Sequence, residues 1–425
     1  MPTLVTPDLA LAACLFDALR TATFDGVGIT REAYGPGERV AHAIVREAAA
    51  ALDLACDVDA AGNLLMTLPG ADRAAPAVVI GSHLDSVRQG GNYDGAAGVL
   101  AGLAAVAGMR AAGFRPARDV TVLVVRAEES GSWFPTSFPG SRAALGRLPP
   151  ATLAVRRLDT GRTLAEHMAE EGGDPAAVRA GACLLPPARV RAYLELHIEQ
   201  GPVLDAARIP VGIVTGIPGA RRLRAARVVG EYNHSGATPR RYRRDAAIAL
   251  AELAYRLDEA WAVLEAEGHR LVCTFCVLAT TEAAGFGKVP GEARFQLDVR
   301  SLDPASIAAL YAELDRLVPA IEARRGVRFE LGAVTESPGA PMEAGVQAAL
   351  RRAAKAAGVP FLAIPSGGGH DAVSFAEAGV PAGLLFVRNQ NGSHNPHEAM
   401  RPEDFAAACA VVSAWAVAES AAAGG

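Results

Sequence analysis

The sequence predicts an α/β protein: a mainly parallel sheet flanked by helices, with a smaller α+β domain inserted into it. Three observations carry this. Apolar runs alternate with Ala/Leu-rich helical stretches through the first two hundred residues, the pattern of parallel strands joined by crossover helices. From about Val211 the order becomes strand, helix, strand, strand, helix, strand, which suits a small antiparallel sheet with helices on one face. After about Pro338 the first pattern resumes. The expected domains are residues 1–211 with 330–425, and residues 212–329; 425 residues suffice for two cores.

In chain order, "MPTLVTPDLALAACLFDALR" reads as an amphipathic helix, because it lacks a basic start and Asp8 and Asp17 interrupt its apolar part. "GERVAHAIVREAAAALDL" (37–54) and "GAAGVLAGLAAVAGMRAAG" (95–113) are helices, and 75–81, 119–127 and 191–199 are strands. In the inserted segment, "RRLRAARVVGEYN", "HRLVCTFCVLATTE", "EARFQLDVRSLD" and "VRFELGAVTE" read as strands. "EARFQLDVRSLD" alternates cleanly, with Phe295, Leu297 and Val299 on one face. Two helices, 245–267 and 305–326, separate these strands. The helix "GVQAALRRAAKAAG", the strand "PAGLLFV" and an apolar terminal helix follow; that last helix is too short to span a bilayer and is expected on the core.

A net charge of −5 excludes a general nucleic-acid binder, and the local run Arg240, Arg241, Arg243, Arg244 reads as a solvated face. Six scattered cysteines form no framework, as in a reducing compartment, and a cytoplasmic location without membrane attachment is expected. "CTFC" lies in a strand, where residues three apart face opposite ways, so Cys273 and Cys276 are read as packing residues rather than a metal or redox pair.

The residues able to do chemistry fall at the carboxyl ends of predicted strands, where open α/β sheets form their sites. His83 follows the run ending at Ile80, Glu128 and Glu129 follow "VTVLVVR", His197 closes "RAYLELH", and His394 lies just beyond "GLLFV". Imidazoles and carboxylates without thiolates suit zinc or a neighbouring divalent ion, with manganese, cobalt or nickel as alternatives. A pair of ions needs a bridging carboxylate. Asp94, on the glycine-rich turn after His83, is placed to bridge, and His83, Glu129, His197 and His394 could complete the two shells. Asp85 could accept the other imidazole N–H of His83. The pair Glu128-Glu129 then divides its labour: one binds metal, the other serves as general base and acid. His42, His167 and His269 are read as structural.

The segments "GVGITREAYGPGE", "GSHLDSVRQGGNYDGAAGVL", "AEES", "FPGSRAALG", "ELHIEQGPVLD", "GEYNHSGATPRRYRRDA", "VPGEARFQLDVR", "SGGGHDA" and "NGSHNPHEAM" run in order from residue 26 to residue 400. Together they resemble the amidase, hydantoinase/carbamoylase branch of the M20 metallopeptidase family, which holds N-carbamoyl-L-amino-acid hydrolases, allantoate amidohydrolases and β-ureidopropionases. The resemblance implies a catalytic domain with two divalent metal ions and a lid domain that also forms a homodimer. It makes His83, Asp94, Glu129, His197 and His394 the metal ligands, with Asp94 bridging, and Glu128 the general base. His234 resembles the lid histidine that reaches a neighbouring active site and stabilises the oxyanion. Arg300 resembles the arginine holding the substrate carboxylate, Gln200 a polar residue lining the pocket, and Arg222 a second anion contact.

Three positions depart from that pattern. Gly287 stands where the family has a substrate-contacting asparagine, "EESGSWF" brings Trp133 near the pocket, and Arg240 replaces the methionine of "TTPM". The expected reaction is hydrolysis of a linear C–N bond in an N-carbamoyl amino acid or related ureido acid. The rivals are an aminoacylase or dipeptidase of the same superfamily, and a non-catalytic binding protein on the same fold. The serine-hydrolase elbow G-x-S-x-G is absent.

Overall fold

The apolar runs of the first two hundred residues join three later strands in one eight-stranded sheet in the computed structural model, which describes residues 5–129 and 131–421. In spatial order its strands are Ala55–Val58, Leu64–Leu68, Val120–Val125, Ala77–His83, Val190–Ile198, Ala382–Val387, Val211–Val214 and Phe361–Ile364. The four central ones, Val120–Val125, Ala77–His83, Val190–Ile198 and Ala382–Val387, run parallel. Leu64–Leu68 and Val211–Val214 join them antiparallel on either side. Every residue of Val120–Val125 and Ala382–Val387 is buried, as expected for strands covered on both faces, and this is why they read as unbroken apolar runs.

The helix Ala96–Ala111 is buried over nearly its whole length and is made of small residues for a steric reason. A Cβ at Gly98 would collide with the Leu196 carbonyl oxygen, so glycine sets how closely this helix lies on the sheet. The terminal helix Pro402–Ser420 buries Phe405, Val411, Val412 and Trp415 in the same core. Among the described residues no helix is long and apolar enough to cross a membrane.

Contacts divide the chain into two compact units: the residues up to Gly216 with those from Pro341 onward, and Ile217–Ala340. The second unit is a five-stranded antiparallel sheet ordered Val272–Thr280, Glu292–Ser301, Gly219–Val229 and Arg328–Glu330, with Val334–Ser337 also on Gly219–Val229. Helices Ala246–Ala266 and Pro304–Arg325 cover one face, and Leu250, Leu253, Leu314 and Ile321 meet Phe295, Leu297 and Val299 there. The stretch 327–336, read from sequence as one strand, is two strands parted at Gly332, which sits at φ +70°. Cys273 packs on this core while Cys276 is exposed.

Candidate metal centre

Because the four central strands are parallel neighbours, their carboxyl ends open at one sheet edge. His83 is the last residue of Ala77–His83 and His197 is next to last in Val190–Ile198. Glu128 and Glu129 follow Val120–Val125, and His394 follows Ala382–Val387. Asp94 arrives on the turn before the helix Ala96–Ala111. Gly95 makes that turn close: it sits at φ +65°, and a Cβ there would overlap the His83 ring.

Two ligand groups result, sharing Asp94: His83, Asp94 and His197, and Asp94, Glu129 and His394. In the first, His197 Nε2 is 3.0 Å and His83 Nε2 3.5 Å from Asp94 Oδ1, and the two Nε2 atoms are 3.3 Å apart. In the second, His394 Nε2 is 3.5 Å from both Asp94 Oδ2 and Glu129 Oε2. Zinc bonds of about 2.0–2.1 Å in tetrahedral geometry put donor atoms about 3.3 Å apart. The observed spacings fall around that value.

The donor chemistry also fits a cation. His83 Nδ1 lies 3.0 Å from the Asp85 carbonyl oxygen, and His197 Nδ1 2.8 Å from that of Ile198. Those acceptors take the Nδ1 protons, which leaves the two Nε2 atoms beside Asp94 as the positions from which the rings could ligate a cation. Glu129 Oε1 is buried with no hydrogen-bond partner among the described residues. Burial pushes Glu128 and Glu129 well above the ordinary carboxylate range. Burial would raise Asp94 too, but His197, His83 and His394 outweigh it and hold Asp94 well below that range. For His83 the penalty of burial is overcome by Glu128, Asp85 and Asp94, which raise its pKa.

The surroundings fix this geometry. The Asp85 carboxylate accepts the backbone N–H of Glu128 and of Glu129, each at 3.0 Å, and its Oδ1 lies 3.3 Å from His83 Nδ1. Asp85 thus orients the glutamate pair as well as backing the histidine. Sequence reasoning missed other contributors. Glu398 accepts the amides of Tyr93 and Asp94, and Ser393 Oγ stands 2.6 Å from both Asp94 Oδ2 and Glu398 Oε2. Arg31, fully buried, donates to the carbonyls of Leu84 and Asp94 and to Asn92 Oδ1. Glu38 with Arg126 holds the backbone just before Glu128. An ionisable residue inside an otherwise turn-like segment, such as Arg31 in "GITREAYGPGE", was the one available signal.

The remaining sequence-predicted residues are placed as follows. Gln200, at φ +64°, donates from Nε2 to Asp94 Oδ2 at 2.8 Å and lies 3.3 Å from His394 Nε2, so it stands at the second ligand group. Trp133 is buried in a satellite core, its Nε1 donating to the Ser86 carbonyl and the guanidiniums of Arg88 and Arg157 lying over its ring. In the second unit, Asp298 lies between Arg222 and Arg300: Oδ1 is 3.2 Å from Arg222 Nε, and Oδ2 accepts Arg300 Nη2 at 2.8 Å. His234 is exposed on a short strand paired with Lys288–Val289. The amides of Gly236 and Ala237 both donate to its Nδ1, which leaves the ring proton on Nε2, pointing outward as a donor. Arg240 is exposed, and Gly287 takes φ +88°.

Residues 79–418 match the model of peptidase family M20/M25/M40. The chain belongs to this family. It is therefore a metallohydrolase, and its two carboxylate-histidine groups are candidate sites for a metal ion. The chain is 36% identical over 397 residues to N-carbamoyl-L-amino acid amidohydrolase of Geobacillus stearothermophilus, covering 92% of this chain and 94% of that protein. It is 32% identical over 380 residues to allantoate amidohydrolase of Escherichia coli K12, covering 89% and 90%. A hydantoinase/carbamoylase family amidase from Burkholderia multivorans superposes with a TM-score of 0.86 at 27% identity, covering 98% of both chains.

Proposed function

We propose that this M20-family hydrolase cleaves the linear C–N bond of an N-carbamoyl amino acid or related ureido acid, using two divalent ions, zinc first among them. The observation that carries the reading is Asp94, whose two carboxylate oxygens face two separate imidazole-bearing groups. The names of the relatives, N-carbamoyl-L-amino acid and allantoate amidohydrolases, support the substrate class.

His83, His197 and Asp94 would hold one ion, and Asp94, Glu129 and His394 the other. A divalent ion bound there would supply Lewis-acid polarisation of a carbonyl and a water of lowered pKa. Glu128 belongs to neither ligand group, and its raised pKa suits a base that accepts the water's proton and returns it to the leaving nitrogen. His234 donates its Nε2–H to the developing oxyanion. Arg300, oriented by Asp298, binds the substrate carboxylate, with Arg222 as a second anion contact and Gln200 lining the pocket.

The second unit is the lid and the dimerisation surface in this reading. Val272–Thr280 is an edge strand of its sheet with exposed Val272, Val277 and Leu278, and the helix Ala246–Ala266 exposes Ile248, Tyr255 and Val263. A homodimer that pairs these edges would cover them. A cytoplasmic location is proposed from the six unpaired cysteines.

The test is a panel of N-carbamoyl amino acids, ureido acids, N-acyl amino acids and dipeptides, assayed with metal-reconstituted protein. Ammonia released with free amino acid supports the proposal. Turnover confined to N-acyl substrates or dipeptides would make it an aminoacylase or peptidase instead, and no turnover with no bound metal would leave a binding protein.

A further inference from the structure

Four consecutive backbone amides, those of residues 126 to 129, are each held by a side-chain oxygen. The Arg126 N–H donates to Asn63 Oδ1 at 2.8 Å and the Ala127 N–H to Glu38 Oε1 at 3.1 Å. The amides of Glu128 and Glu129 go to the two oxygens of Asp85. Between strand end and glutamate pair, Ala127 sits at φ +58°, a left-handed conformation that an alanine enters only at a cost. That residue re-aims the chain so that Glu128 leaves the strand direction. Ala127 is buried, its conformation held from outside.

Glu38 is the group that holds it. Its Oε2 accepts the amide of Tyr34, itself at φ +48°, and the Arg126 guanidinium at 2.8 Å. One buried carboxylate therefore braces two left-handed residues and closes an ion pair with the residue preceding Ala127. Arg126 is fixed in turn by the Gly62 carbonyl and lies over the Tyr34 ring. Asn63 and Glu38 come from segments with no ligand of their own, so they act on the pair only through its backbone.

We propose that Glu38 is a positioning residue for Glu128: it keeps Ala127 left-handed and thereby sets where the Glu128 carboxylate stands. The inference rests on the reading of Glu128 as the general base. A base displaced by about 1 Å loses on the order of 10²-fold in rate while ligands carried by other segments keep their places.

The experiment compares Glu38→Gln, Glu38→Gln with Ala127→Gly, and Glu128→Gln, all in the metal-loaded full chain, by kcat, KM and bound-metal content on an N-carbamoyl amino acid. Gln offers one acceptor oxygen where Glu38 offers two and leaves Arg126 without its counter-charge. The expected result is a kcat lower by about 10- to 100-fold with KM changed less than about threefold and metal retained. Glycine takes φ +58° freely, so adding Ala127→Gly restores about tenfold of the loss. A merely structural carboxylate would show no such rescue. Should Glu38→Gln not fold, Glu38→Asp keeps the charge, draws the acceptor back from the Ala127 amide, and is read in the same way. Wild-type kcat in the folded variant, or no rescue by glycine, overturns the proposal. Full turnover by Glu128→Gln overturns the reading of the base instead.

Discussion

Asp85 offers the most direct measure of how the site is held. It is fully buried, and its two oxygens carry the Glu128 and Glu129 amides while Oδ1 also faces His83. Asp85→Ala leaves two buried N–H groups without acceptors, at about 1–3 kcal/mol each, so the apo protein should lose about 2–6 kcal/mol. Against a net stability of about 5–15 kcal/mol that is a large fraction. Asp85→Asn keeps one acceptor and should lose about half as much. Both variants remove the anion behind His83 and loosen the Glu129 backbone, so metal affinity should fall about 10- to 100-fold. Denaturant unfolding of the apo protein gives the first quantity and competition with a chromophoric chelator gives the second. If Asp85→Asn unfolds at the wild-type midpoint and binds zinc with wild-type affinity, the carboxylate does not organise the site as described.

Further outcomes are expected. Glu128→Gln should lower kcat at least about 10³-fold with metal content unchanged, because the lost group moves a proton and belongs to neither ligand group. Arg300→Ala should raise KM about 10- to 100-fold through loss of a charge-assisted contact, measured by initial rates; an unchanged KM would place the carboxylate elsewhere. In the proposed homodimer, Leu278→Lys on the exposed edge strand should shift the protein to monomer in sedimentation velocity without unfolding it, and a wild-type protein that already sediments as a monomer would refute the dimer. Burial would raise Asp298, but its bonds to Arg300 and Arg222 outweigh that and hold it below the ordinary aspartate value. Its stabilising contribution is therefore complete above the unfolded pKa and is lost as pH falls through the depressed folded one. Asp298→Asn should make acid unfolding less steep in that window.

Much of this was legible because parallel strands buried on both faces announce themselves as apolar runs, and the residue after each run is thereby located. His83, His197 and the Glu128-Glu129 pair were found in that way, and the alternation of Phe295, Leu297 and Val299 marked the inserted sheet. The short strands Ala55–Val58, Leu64–Leu68, Val211–Val214 and Phe361–Ile364 were missed, since each has five residues or fewer, too brief for a periodicity to show. The bracing residues Arg31, Glu38, Asn63 and Glu398 were missed for another reason. Each acts through backbone amides or carbonyls far away in the chain, and a hydrogen bond to a backbone leaves no pairing pattern in the sequence.

The position of Ala382–Val387 in the sheet governs how the chain can fold. This strand comes last in sequence yet lies between Val190–Ile198 and Val211–Val214. Until it is synthesised, the five strands on one side and the two on the other have no common neighbour, and Val190–Ile198 and Val211–Val214 each keep an unpaired edge. Both His394 and the final helix also lie beyond it. A nascent chain therefore carries an open edge along Val190–Ile198 from residue 198 until residue 382 emerges, the kind of exposed strand edge that favours aggregation. Translation that stops short of residue 382 would leave that edge unpaired, whereas a chain that includes Ala382–Val387 closes the sheet and carries His394 to the end of that strand.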